Sequence, residues 1–305
     1  MVVELTRKRR VLKPWGVNNA DAWVDLPTNN GRVGEVCYER PGENREAPAL
    51  MFKLLFTSAP LSIQVHPDAA CARSLGLANG KDEAWHILSA EPEAKVAVGL
   101  KMACAPQQLE DAIRDGAIAD MILWRTVAAG DTILVPAGTI HAIGAGLVIC
   151  EIQQRSEATF RMFDYGRSRE LQIDNAVRAA TTEPAATQPP PQRLSDERMV
   201  IASSRYFTFE RIALAPNTSW RLLAERETWL FVVNGRVDAG PFALGKGDTV
   251  FADADDPDLR VGAEGLSALV ATKGPAQVDN LLRRSAARTG NALFPPAARS
   301  SPTPQ

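Results

Sequence analysis

Gly130-Asp131-Thr132-Ile133-Leu134-Val135-Pro136-Ala137-Gly138-Thr139-Ile140-His141 is the stretch on which the reading of this chain turns. Thr132 to Val135 is a β-branched and apolar run that reads as a strand, and Pro136 and Gly138 end it in a tight turn that brings an imidazole back. Histidine is scarce, three among 305 residues, so its placement is informative. A second histidine, His66, stands in Leu61-Ser62-Ile63-Gln64-Val65-His66-Pro67-Asp68. On a strand, Gln64 and His66 project from one face while Ile63 and Val65 pack on the other.

In Gly80-Lys81-Asp82-Glu83-Ala84-Trp85, Glu83 opens another apolar run and can supply a carboxylate from a neighbouring strand. Gln64, His66, Glu83 and His141 then offer two imidazole nitrogens and two oxygens without sulfur. That set suits Zn²⁺ kept open for water or substrate, and Mn²⁺, Fe²⁺ or Co²⁺ also fit. A structural zinc site more commonly closes with four Cys or His ligands, so the oxygen-rich set points to substrate chemistry. His86 alternates with Trp85 and Ile87, which turns it from Glu83 and makes it a packing or supporting residue. Trp15, Trp85 and Trp124 read as core.

Lys and Arg total 34 against 36 Asp and Glu, a balance that creates no field for nonspecific nucleic-acid or anionic-membrane binding. No partner of either kind is expected. Arg7-Lys8-Arg9-Arg10 reads as a solvated face before the first strand. No apolar run has signal-peptide or membrane-spanning length, and Cys37, Cys71, Cys104 and Cys150 lack C-x-x-C spacing. Reduced thiols and a cytoplasmic location are expected.

Most of the chain reads as short strands, among them 61–65, 132–135, 147–152 and 229–233. Helices are expected over 68–75, 106–115, 117–124 and 171–180. The Pro-rich stretch from Thr181 breaks the pattern. It divides a metal-binding domain, 1–180, from a second domain, 196–280, through a linker, 181–195, with a flexible tail over 281–305. The halves share a weak repeat: Gly130-Asp131-Thr132-Ile133-Leu134-Val135-Pro136-Ala137 returns as Gly247-Asp248-Thr249-Val250-Phe251-Ala252-Asp253-Ala254, and Glu83-Ala84-Trp85 is echoed by Glu227-Thr228-Trp229. Asp258 stands where the repeat would place His141, so the second unit is expected to hold no metal.

The Gly130-to-His141 spacing is similar to the second signature of the cupin barrel. The strings at 61–68, 80–85, 135–143 and Glu-Ile-Gln-Gln-Arg-Ser-Glu-Ala-Thr-Phe-Arg-Met-Phe-Asp-Tyr at 151–165 resemble type I mannose-6-phosphate isomerases of the short bacterial kind. The resemblance starts at Lys13-Pro14-Trp15-Gly16, keeps four motifs in order and weakens after the linker. It implies a mainly β protein, a cupin jelly roll (double-stranded β-helix) with a few helical insertions and a second, degenerate cupin unit. It implies one Zn²⁺ per chain on Gln64, His66, Glu83 and His141, and interconversion of mannose 6-phosphate and fructose 6-phosphate. Arg161, in Ser156-x-x-Thr159-x-Arg161, falls on the family's active-site arginine. Lys81 and Ser62 fall on positions tied to catalysis and substrate phosphate. The chain departs from the family's pattern at Gln172, where relatives often carry His, at Glu157-Ala158, which replaces Asp-Thr, and at His86.

Moving a carbonyl between C1 and C2 requires carrying a carbon-bound proton to the neighbouring carbon through an enediol whose negative charge needs stabilisation. A metal, Arg161 and Lys81 can supply positive charge, and Glu151 can shuttle the proton. A noncatalytic metal-cupin binding a sugar or sugar phosphate is the alternative, and an iron cupin dioxygenase the third reading. A phosphosugar is the expected small-molecule partner; the sequence leaves the oligomeric state open.

Overall fold

Short runs with alternating side-chain character leave each strand a face to bury, and stacked sheets provide the cover. The computed structural model describes residues 2–20, 22–24, 31–42 and 46–285. The first half comprises β1 (Val2–Leu5), β2 (Arg7–Val17), β3 (Val33–Glu39), β4 (Leu50–Thr57), β5 (Ile63–Val65), α1 (Ala69–Ser74), β6 (Glu83–Ala90), β7 (Lys95–Leu100), α2 (Pro106–Asp115), α3 (Ile118–Met121), β8 (Ile122–Thr126), β9 (Thr132–Val135), β10 (His141–Ile143), β11 (Leu147–Gln154), β12 (Phe160–Phe163) and α4 (Ile173–Ala179). The second comprises β13 (Gln192–Arg193), β14 (Arg198–Ser203), β15 (Phe207–Leu214), β16 (Ser219–Leu222), β17 (Thr228–Ala239), β18 (Phe242–Leu244), β19 (Thr249–Asp253), β20 (Asp258–Lys273) and β21 (Leu282–Arg284). The expected tail, 281–305, is corrected at its start, where Leu282–Arg284 pairs with β16 as β21; the residues beyond Ser285 lie outside the described residues.

The protein is mainly β, as the sequence predicts. The first unit has a six-stranded sheet, β2-β3-β4-β11-β6-β9, facing a five-stranded one, β12-β5-β10-β7-β8. The second unit is a ten-stranded sheet with the path β1-β19-β17-β20-β15-β14-β13, so β1 pairs with the second half before β2 enters the first. Thr181 to Pro191 carries no regular element, and Gln188 is tied to both the N–H and the C=O of Leu134.

The six-stranded sheet is buried on both faces, an unusual demand on antiparallel strands. Its outer side chains, Val36, Tyr38, Phe52, Leu54 and Ile152, share a core with Phe207, Phe209, Trp229, Phe231 and Phe251 of the second unit. Phe52 stacks on Trp229 at 6.3 Å between centroids. Its inner side chains Leu55, Trp85, Ile87, Ile133 and Ile149 face Val96, Val98 and Ile143 of the five-stranded sheet. Ile63 and Val65 lie on the outer side of that second sheet with Leu109 and Ile113 of α2 and Ala176 of α4. Gln64 is thereby turned inward.

The expected helix over 117–124 is corrected: α3 ends at Met121, and Ile122 to Thr126 is strand β8. Pairing overrides local propensity there, because Leu100 faces Ile122 and Ala97 faces Trp124 across β7. The Gly-Asp repeat is structural. Gly130 donates to Ile87 O, and Ala128 N–H to the Asp131 carboxylate; Gly247 donates to Val232 O, and Gly245 N–H to the Asp248 carboxylate. The Glu-x-Trp echo is one residue out of register. Glu83 lies four residues before Ile87, whereas Glu227 lies five before Val232, and one residue of slip turns a side chain to the other face. Trp85 therefore faces the first unit's interior and Trp229 the contact between units.

Candidate metal centre

β5 sits mid-sheet between β12 and β10, with Gln64 opposite both Arg161 and His141. Directly paired residues project to the same side, so three polar side chains line the inner face in one row. His66, two residues beyond Gln64, joins them, its ring 4.7 Å from that of His141. Glu83 reaches in from the start of β6 on the opposite sheet. The ligand atoms of His66, Glu83 and His141 lie within 4.8 Å of one another, and all three residues are buried.

Two glycines permit this closeness. A Cβ on Gly80 would meet Pro67 O at 2.8 Å and Ala69 N at 2.7 Å, so only glycine lets Lys81 run past the His66 segment, where its N–H bonds Pro67 O. Gly138, at φ +87°, makes the predicted turn and donates its N–H to His66 O at 2.8 Å.

Both imidazoles have a fixed tautomer. His66 Nδ1 lies 2.8 Å from Ala158 O and His141 Nδ1 2.8 Å from Thr139 O; a carbonyl only accepts, so each Nδ1 carries the proton. Each Nε2 lone pair then faces Glu83, at 3.2 Å from His66 and 3.4 Å from His141. Burial, reinforced by Lys81, lowers His66 to about 3, and burial also lowers His141, so both are neutral. Burial alone would raise Glu83, but the Lys81 charge beside it holds its carboxyl well below the ordinary range. Lys81 Nζ approaches Glu83 Oε2 to 2.7 Å at an angle that makes no hydrogen bond, which leaves a buried carboxylate oxygen under-partnered. Two neutral nitrogens and an anionic oxygen with lone pairs converging fit a divalent cation.

The expected fourth ligand is close but turned. Gln64 Nε2 lies 3.3 Å from His141 Nε2, while its carbonyl accepts from Ser62 Oγ at 3.0 Å. Ligation through oxygen requires the amide to turn over.

Glu151 lies on the inner face of the six-stranded sheet, between Trp85 and Lys53. Trp85 Nε1 donates to it at 3.2 Å, and Trp85 also sets its ring against His141 at 5.5 Å. Burial and the nearby Glu83 charge raise the Glu151 carboxyl to about 7. Sequence reasoning missed two neighbours in this row. Lys53 stands 3.8 Å from both Glu151 and Glu35, whose combined charge raises its pKa despite burial. A lysine inside Leu-Met-Phe-Lys-Leu-Leu-Phe-Thr, a fully buried strand, was the available signal.

Arg161 is adjacent rather than convergent. Its guanidinium donates to Glu170 O at 2.7 Å, and its Nε is buried without a protein partner. Gln172 accepts from Arg161 N–H at 2.9 Å, and Ala158, the other departure from the family pattern, serves His66 through its backbone. His86 faces away, bonded to Thr132 Oγ1 at 2.8 Å.

No family model matches the chain. A mannose-6-phosphate isomerase of Streptococcus mutans is 34% identical over 213 residues, 65% of this chain and 66% of that protein. A mannose-6-phosphate isomerase of Bacillus subtilis is 33% identical over 135 residues, 42% of each chain. The match spans just under two thirds of the first relative and less than half of the second. Among solved structures, the mannose 6-phosphate isomerase from Bacillus subtilis superposes with a TM-score of 0.76 at 22% identity, over 89% of this chain and 99% of that one. A zinc-bound mannose 6-phosphate isomerase gives 0.69 at 13% identity, over 89% and 99%. At these identities the likeness concerns the fold, a cupin with a second cupin-like unit.

Proposed function

We propose that the chain is a member of the mannose-6-phosphate isomerase family and that it interconverts mannose 6-phosphate and fructose 6-phosphate through an enediol. The first unit, 1–180 save β1, which pairs with the second, holds the site, and the unit at 196–280 supports it. Gln64, His66, Glu83 and His141 hold one Zn²⁺ per chain. A bound zinc supplies Lewis-acid stabilisation to oxygens that gain charge.

The chain's own residues do the rest. Glu151 carries the proton between C1 and C2, and a carboxyl titrating near neutrality can both take and return it. The observation that carries this reading is the buried Glu151 carboxylate, bonded by Trp85 Nε1 at 3.2 Å, in the same interior as the ligand group. A pure binder has no use for it. Lys81, 2.7 Å from Glu83 and 3.1 Å from His66, brings a cation to the developing enediolate. Ser62 and Arg161, on either side of Gln64 in chain and sheet, bind the phosphate end, and the unpartnered Arg161 Nε is a donor available to it.

Among the described residues no helix is long and apolar enough to cross a membrane. Four free cysteines support a cytoplasmic location.

The test is a coupled assay on zinc-loaded protein before and after chelation. Turnover of mannose 6-phosphate that disappears with the metal and returns on its readdition is expected. Stoichiometric zinc without turnover, beside a working isomerase control, sinks the proposal.

A further inference from the structure

The entry to β4 is gripped from two sides by charged groups that the reaction does not use. Glu227, from the second unit and buried, accepts from Ala49 N–H at 2.6 Å through Oε2 and from Leu50 N–H at 2.8 Å through Oε1. Trp229 Nε1 also donates to Oε1, at 3.0 Å. From the first unit, Arg155 donates through Nε to Pro48 O at 2.5 Å and through its other nitrogen to Leu50 O at 3.3 Å. Three residues beyond Leu50, Lys53 points inward to Glu151 and Glu35.

We propose that Glu227 is a positioning residue: the second unit, through this carboxylate, sets the entry and register of β4 and thereby holds Lys53 against Glu151. Leu50 pairs with Gln154 and Lys53 with Glu151 across the same two strands, so displacement at the first pair is passed along a stiff ladder to the second. Among the described residues Glu227 is the acceptor of both the Ala49 and Leu50 N–H groups, and a buried unmade donor is costly enough to move the segment. A cavity of about 300 Å³ lined by Met51, Leu77, Asn79, Arg155 and Ser156 leaves room beside β4 for that movement. Because one residue of register separates it from the inward-facing equivalent of Glu83, a carboxylate in the repeated Glu-x-Trp sequence becomes an anchor for the neighbouring unit's strand.

The proposal rests on the isomerase reading, and wild-type turnover in the same assay separates failure of that reading from failure of this one. In Glu227→Gln one acceptor is replaced by an NH₂ that confronts a backbone N–H. The expected result is faster hydrogen exchange over 48–53 and a kcat at least tenfold lower with KM within twofold, measured well below the Tm. Trp229→Phe leaves the Ala49 and Leu50 bonds in place and keeps kcat within twofold. Should Glu227→Gln fail to fold, Arg155→Lys loosens the opposite grip and carries the same expectation. A folded Glu227→Gln or Arg155→Lys protein with wild-type kcat overturns the proposal, as does an equal kcat loss in Trp229→Phe.

Discussion

The two cupin units share a Gly-Asp turn with the same hydrogen bonds and differ in what their interiors hold. In the first, Lys53, Lys81, Glu83, Glu151, His66 and His141 are buried among hydrocarbon. In the second, Leu230, Val232, Leu244, Val250, Leu259 and Val261 fill the corresponding space. Buried charges cost several kcal/mol each in desolvation unless paired, and the first unit pairs them only in part. The second unit offsets that cost with an apolar core of its own and by covering the outer face of the six-stranded sheet. A reactive interior is tolerated because a neighbour with a mostly hydrophobic core, whose buried Arg198–Glu210 pair is joined by two hydrogen bonds of 2.9 Å, is packed against it.

The sharpest way to break this division is at Glu151. Glu151→Gln keeps the shape and the Trp85 contact and loses the titrating proton, so kcat should fall by about 10²–10⁴-fold while zinc content, read by metal analysis, stays at wild type. Leu230→Ala should do the reverse. It opens a cavity in the second core and should cost about 2–5 kcal/mol in denaturant unfolding, with kcat at 25 °C within twofold.

The seam between the units is expected to be acid-sensitive. Burial and the Arg211 charge lower His86 to about 4. Its folded pKa lies below the unfolded one, so its contribution is complete above about pH 6.5 and is lost as pH falls toward 4, where the unfolded chain takes up the proton first. The difference in stability between wild type and His86→Asn should narrow over that window by up to about 3 kcal/mol; a difference that stays constant with pH would exclude His86. The smallest effect is expected at Asp258. It is exposed and pairs only loosely with Arg221, at 3.5 Å, so Asp258→His should create no second zinc site and change stability by less than about 1 kcal/mol.

The grouping of His66, Glu83 and His141 was legible because local geometry encodes much of it. Alternation on one strand pairs Gln64 with His66, and the Pro-Gly turn returns His141 whatever surrounds it. The helix expected over 117–124 failed because pairing with β7, twenty-two and more residues upstream, decided the conformation of 122–126. The Glu-x-Trp echo misled because similarity of letters carries no register, and one residue reverses a strand's faces. Lys53 carried a faint signal, a lone cation in an apolar strand, but its partners Glu35 and Glu151 lie on β3 and β11 and are joined to it only by the sheet.

The sequence by itself determined which residues could bind a metal, that the chain is mainly β, and that the second half lacks histidine. Those properties follow from side-chain chemistry and from periods of two along a strand. Tertiary structure alone decided that burial and Glu83 raise the Glu151 carboxyl, that Gln64 presents its amide nitrogen to His141, that Arg161 turns toward Glu170, and that Glu227 holds the start of β4. Each depends on burial and on charges brought together from distant segments, and no local pattern specifies either.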